Sequence, residues 1–277
     1  MAAPSKHENE ASEVHKPVVK DSSAILALGK LFPQSKTLDH AVRFLSQVRG
    51  TDKFLMVIQY FSKIFIWWYV KRGRESTAQR VRNLAGPISD FRILLRYYGL
   101  LPLVQWMQYV DSNPSPSPLL LFLDRLQNIC NLIYYPLEHI YWLGAHEVIP
   151  ISMKKTNAIA IWSCRFWAAY VLLQFVHLGE EYRLYKQRLT GLQAQIKEAD
   201  AQARASGAPV DKTVYKTEMA ALKAEKKGIL INTIINTGYM PLTVHWSLEN
   251  STFPDVGVGI FGGIAAVAQF YVAWKST

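Results

Sequence analysis

The sequence predicts an all-α fold, a membrane-associated helical bundle with amphipathic surface helices and one to two transmembrane helices. Three observations carry this. Val256–Trp274 runs for 19 residues with one polar side chain, Gln269, and no charge. Ala158–Leu178 is a second apolar run, of 21 residues. Between residues 76 and 101, apolar side chains recur at steps of three and four with arginines beside them, the pattern of a helix with one greasy side.

The C-terminal run is the firmest element. At about 1.5 Å per residue it reaches roughly 28 Å, the thickness of a bilayer's hydrocarbon core. Asp255 and Lys275 close its ends, and Tyr271 and Trp274 sit where interfacial aromatics lie. A core helix of a soluble protein is the competing reading. Its glycines, 257, 259, 262 and 263, would each weaken such a helix by up to about 1 kcal/mol. In lipid they admit a close neighbour instead. Gly259 and Gly263 have the small-xxx-small spacing for this and are the expected positions for helix packing and self-association.

Composition agrees. Half of the 277 residues are hydrophobic, and eight Trp with 14 Tyr suit a membrane interface. The 31 Lys and Arg exceed the 21 Asp and Glu by ten, and much of the basic excess lies between Lys30 and Arg96 on otherwise apolar segments. The expected partner is therefore an anionic phospholipid membrane, with no nucleic acid. The first 20 residues lack an apolar core, so no secretory signal peptide is expected. Cys130 and Cys164 sit inside apolar runs and read as reduced core residues.

In chain order, residues 1–36 form a polar tail with a short apolar patch at Ala24–Leu28. Residues 37–110 form an N-terminal amphipathic and basic helical region. It breaks near Gly50, where Thr51 or Asp52 would cap a new helix. That helix has about 16 apolar residues interrupted by Lys63, too few to span, so it lies at the interface or packs in the bundle. In the 76–101 segment Val81, Leu84, Ile88, Phe91, Leu95 and Tyr98 make the stripe, with Arg82, Asn83, Ser89 and Asp90 opposite. Arg80, Arg92 and Arg96 flank it, placed to snorkel toward headgroups. Pro87 should kink or restart this helix. An ordinary bundle helix with a solvated basic face is the alternative.

Residues 111–118, DSNPSPSP, form a linker. Residues 119–178 are apolar helices interrupted at Pro136, with the candidate span 158–178, which carries Arg165, Gln174 and His177. A charge at that depth must face protein or water. Residues 179–228 change character, with 17 charged side chains between Glu180 and Lys227. A narrow seam of Leu189, Leu192 and Ile196, divided by Gly207-Ala208-Pro209, suggests a helical hairpin; a charged loop is the alternative. Residues 229–277 form the C-terminal membrane region, broken at Gly238 and Pro241 before the span 256–274.

No chemistry is assembled. Gly257, Gly259 and Gly262 spell G-x-G-x-x-G, but only 15 residues follow, too few for a dinucleotide-binding unit. Glu138, His139, His146 and Glu147 match no metal-ligand spacing, so no metal and no cofactor are expected. No nucleophile is paired with a base, so no enzyme is expected. Asn250-Ser251-Thr252 is a glycosylation sequon, meaningful only in a secretory lumen.

Four segments, DKFLMVIQYFSKIF (52–65), ISDFRILLRYYGL (88–100), YYPLEHIYWL (134–143) and GVGIFGGIAAVAQFYVAWK (257–275), together resemble the peroxisomal biogenesis factor eleven family, its fungal branch in particular. The resemblance covers 37–178 and 229–277 and leaves out the charged 180–227 segment and the tail. It implies a peroxisomal membrane protein that elongates the organelle by inserting an amphipathic helix in the cytosolic leaflet, self-associates, and recruits fission machinery. The inserted helix would be 76–101, with Arg80, Arg82, Leu84, Ile88, Phe91, Arg92, Leu95 and Arg96 as its lipid-binding residues. Ile88→Glu with Phe91→Glu should then abolish tubulation by a 76–101 peptide. Lys154, Lys155 and Lys275 would put both termini in the cytosol, a placement in conflict with the lysine-rich 183–227 if 158–178 crosses once. Two other classes stay open: a metabolite channel with Arg165 facing a pore, and a membrane-bound enzyme using Glu138, His139 or His146.

Overall fold

The computed structural model describes residues 34–115, 117–207 and 213–277. The tail over 1–36, with its Ala24–Leu28 patch, falls almost wholly outside them. Among the described residues there are eight helices and no strand: α1 (Lys36–Ser46), α2 (Val48–Lys71), α3 (Glu75–Tyr97), α4 (Leu100–Ser112), α5 (Pro118–Ala145), α6 (Met153–Ser206), α7 (Thr213–Ser247) and α8 (Asp255–Lys275). The chain parts into two units, Met1–Val42 and Arg43–Thr277. In the first, the Ser35 hydroxyl accepts the Leu38 N–H at 3.3 Å and opens α1.

The second unit holds the rest. Gly50 is required where α2 begins, because a Cβ there would lie 1.9 Å from the Phe44 carbonyl oxygen. The helix starts at Val48, ahead of the expected caps; the Thr51 hydroxyl donates back to the Leu45 carbonyl and Asp52 serves elsewhere. At the far end of α2, Gly73 has φ +68°, its N–H bonds Val70 O, and the Arg74 N–H reaches Tyr69 O. This is a Schellman closure, which turns the chain straight back into α3. At the start of α5, Ser117 accepts the Leu120 N–H and Pro118 occupies the first helical position, where a missing donor costs nothing.

Three prolines expected to interrupt helices, Pro87, Pro136 and Pro241, lie inside unbroken ones. Each removes one backbone hydrogen bond, a local loss that packing of the flanking turns outweighs. The α6 helix likewise passes through the change of composition at residue 178 and ends at Gly207, φ +70°. Helices α6 and α7 make the hairpin: Leu178, Tyr185, Leu192, Leu222 and Ile229 form its buried seam, with Leu189, Ile196, Tyr215 and Met219 beside it.

Helix α5 packs on α6, α6 on α7, α7 on α8, α8 on α2, and α2 on α3. The principal core lies among α2, α7 and α8: Met56, Tyr60, Leu242, Val258, Ala265 and Ala266. Two helices, α6 and α8, are long and apolar enough to cross a membrane. Only 11% of the most apolar stretch of α6 is buried by protein, which argues against the core helix of a soluble protein. The second half of α7 runs between these two in the opposite direction. Its Lys227 donates to Tyr271 at 2.7 Å near one end of α8, and Ser247 O accepts Arg165 near the start of α6.

Candidate membrane-active surface

Helices α2 and α3 form an antiparallel pair, linked by Gln59 to Ser89 Oγ at 2.7 Å and by Arg92 to Asp52 at 2.8 Å. The polarity of α3 is turned inward. Arg92 is 6% exposed, with its guanidinium on Asp52 and Gln59. Arg96 grips Glu138 of α5 with two 2.6 Å bonds, and Tyr134 donates to the same carboxylate at 2.9 Å. Asp90 accepts the Trp142 indole N–H at 2.8 Å. These links correct the expectation that Arg92 and Arg96 snorkel to headgroups. Two guanidiniums near two carboxylates on facing helices gain more from pairing than from reaching past the helix to lipid.

The greasy side faces out. Leu84 is 56% exposed, Phe91 47% and Tyr98 62%, while Val81, Ile88 and Leu95 are half-buried. Leu94 and Leu101, outside the expected set, extend the outward stripe into α4. Of the expected basic residues, Arg80 is exposed and Arg82 half-buried, bonded to Glu75 at 2.7 Å. The α2–α3 turn adds Lys71, Arg72 and Arg74, all exposed, with the Arg72 guanidinium 3.9 Å above the Trp68 ring. The run K-R-G-R was the signal for them, readable once Gly73 is taken as a turn.

Burial alone would raise the pKa of Asp52. The Lys53 and Arg92 charges and their hydrogen bonds outweigh it and hold that pKa down to about 2.

The glycines of α8 are occupied within the chain. A Cβ on Gly259 would meet Ile64 at 2.9 Å, and one on Gly262 would meet the Tyr60 ring at 2.2 Å. Gly263 faces Phe61 at an ordinary 3.7 Å. Helix α2 is therefore the close neighbour at Gly259, so this glycine serves helix packing within the chain and is not open for self-association. The residues named for the other readings also have contacts within the chain. Arg165 is exposed, donates to Ser247 O at 3.3 Å and lies over the Trp162 ring at 4.8 Å. Glu138 is taken by Arg96, His139 stacks on Tyr97 at 3.8 Å and His146 on Trp142 at 4.0 Å. Cys130 and Cys164 are free.

Comparison with known proteins decides the family: residues 38–274 match peroxisomal biogenesis factor 11. The chain belongs to this family. The match spans the charged 179–228 segment, which the resemblance of short motifs had left out. Relatives of the biogenesis factor 11 family extend across kingdoms. Peroxisomal membrane protein 11B of Arabidopsis thaliana is 25% identical over 251 residues, 87% of this chain and 98% of its own. Peroxisomal membrane protein 11C of Homo sapiens is 22% identical over 239 residues, 84% of this chain and 92% of its own. An uncharacterised protein of Schizosaccharomyces pombe is 24% identical over 226 residues, 81% and 88% of the two chains. No solved structure matches. As a biogenesis factor 11 protein, this chain is a helical peroxisomal membrane protein acting in peroxisome biogenesis and proliferation.

Proposed function

We propose that this protein elongates the peroxisomal membrane by sinking the outward stripe of α3 and the start of α4 into the cytosolic leaflet. The observation that carries the reading is the inverted polarity of α3, with ion pairs facing protein and Leu84, Phe91, Leu94 and Tyr98 facing out. In water such an arrangement leaves a contiguous apolar strip unsatisfied; at a bilayer surface the strip is buried. Arg80 and the Lys71–Arg74 turn draw the helix to acidic lipid, each charge contributing about 1 kcal/mol near such a surface. Area added to one leaflet favours positive curvature, and many anchored copies add up to a tubule. Helix α3 stays docked on α2 and α5 while it acts, so insertion is shallow. Association of copies, implied by the family, uses a surface other than the Gly259 seam.

The test is tubulation of acidic liposomes by the reconstituted full-length protein. Leu84→Glu with Phe91→Glu alters two exposed positions, so the fold should persist, checked by unchanged helical circular dichroism. Tubules should disappear with this variant. Tubules as abundant as those of the wild type would remove the wedge.

A further inference from the structure

Between α2 and the first half of α3 lies an open cleft of about 440 Å³, within the ~300–1,000 Å³ of small-molecule sites. Its existence follows from the sequence. Ala85, Gly86 and Ser89 of α3 line it with almost no side-chain bulk, opposite Ile66, Trp67 and Val70 of α2. A Cβ on Gly86 would meet nothing within 4 Å, so the gap is real space. The Gln59–Ser89 hydrogen bond lies along its lining. Three cations, Lys63, Lys71 and Arg82, share that lining with one carboxylate, Asp255, which already accepts from Lys63 at 3.0 Å, while Arg82 is paired through one nitrogen with Glu75 at 2.7 Å. Lys71 has no ion pair among the described residues. The excess is thus one cation, Lys71, with the remaining guanidinium donors of Arg82 beside it, and this charge against an apolar wall is the chemistry of a site for something anionic at one end and greasy at the other.

We propose that this cleft binds a single anionic phospholipid, its phosphate held by Lys71 and Arg82 and one acyl chain lying along Ile66, Trp67 and Val70. A free phosphate would satisfy the cations yet leave the apolar wall facing water. The proposal rests on the membrane reading above and is independent of bending: it gives the protein a stoichiometric lipid ligand, whereas the α3 stripe meets lipid collectively.

The experiment is native mass spectrometry of the full-length protein in non-ionic detergent after equilibration with dioleoyl phosphatidic acid, dioleoyl phosphatidylcholine or glycerol 3-phosphate. One phosphatidic acid per chain should be retained, in preference to the other two. Gly86→Phe fills the cleft, keeps every cation and sits in open helix, so it should fold and lose the retained lipid. Lys71→Ala should weaken retention about fivefold. Equal retention of phosphatidylcholine, binding of glycerol 3-phosphate as tight as that of the lipid, or undiminished retention by Gly86→Phe would each overturn the site. Retention in detergent requires no curvature, so failure here and failure of the wedge are separate results.

Discussion

Arg92 and Asp52, 40 positions apart, show what one buried contact does for the surface above it. Their ion pair fixes the rotation of α3, and that rotation puts Leu84 and Phe91 outside. Asp52 has a folded-state pKa of about 2 against an ordinary 3.8, so its charged form is favoured by the fold. The stabilisation it supplies is complete above about pH 4 and is lost as pH falls toward 2. Thermal unfolding in detergent should show this decline. Asp52→Asn leaves Arg92 buried without its partner, so it should start roughly 3–5 kcal/mol lower at neutral pH and lack that acid step. A variant as stable as the wild type would mean that the pair does not orient α3.

Among the elements, α3 marks the limit of what residue spacing conveys. Steps of three and four located the stripe, but the same steps describe a bundle helix with its greasy side inward. Only the partners, Asp52 from one helix and Glu138 from another, decide which side turns to protein, and no local pattern encodes pairs 40 positions apart. The prolines were over-read for a related reason: their local cost is fixed, while the packing that offsets it is set by distant helices. The glycines of α8 were legible as a close-packing seam but not as to whose helix fills it. That seam makes a sharp comparison. Gly262→Ala should destabilise by about 1–3 kcal/mol through overlap with Tyr60, whereas Gly263→Ala, in ordinary contact with Phe61, should change the melting temperature little. Equal melting temperatures would contradict the α2–α8 packing.

At the scale of the molecule, the spans in α6 and α8 stood out in composition, whereas the second half of α7 was legible as part of the membrane region but not as a span, because Asn232, Asn236, Gly238 and Pro241 interrupt its apolar run. Its place between α6 and α8 is visible only in three dimensions. If those two helices cross, Leu230–Trp246 lies at the same depth, and residues 179–206 and 213–227 emerge on the same face as Lys275. Lys154 and Lys155 then lie on the opposite face, together with the α2–α3 turn that the Lys63–Asp255 pair ties to the start of α8, so the two groups of basic residues stay on different sides of the bilayer. Impermeant labelling of single cysteines at 197 and 276 in intact organelles should give matching accessibility; opposite results would refute the α7 return.

The α6 helix carries one more implication. Its 54 residues make a rod of about 80 Å with no proline in it. If its apolar first part crosses the bilayer, the rest of the rod is a lever: sideways pressure at the outer end becomes torque where it enters lipid. Copies crowded on one sheet would then relieve that crowding by curving the sheet away from the masts.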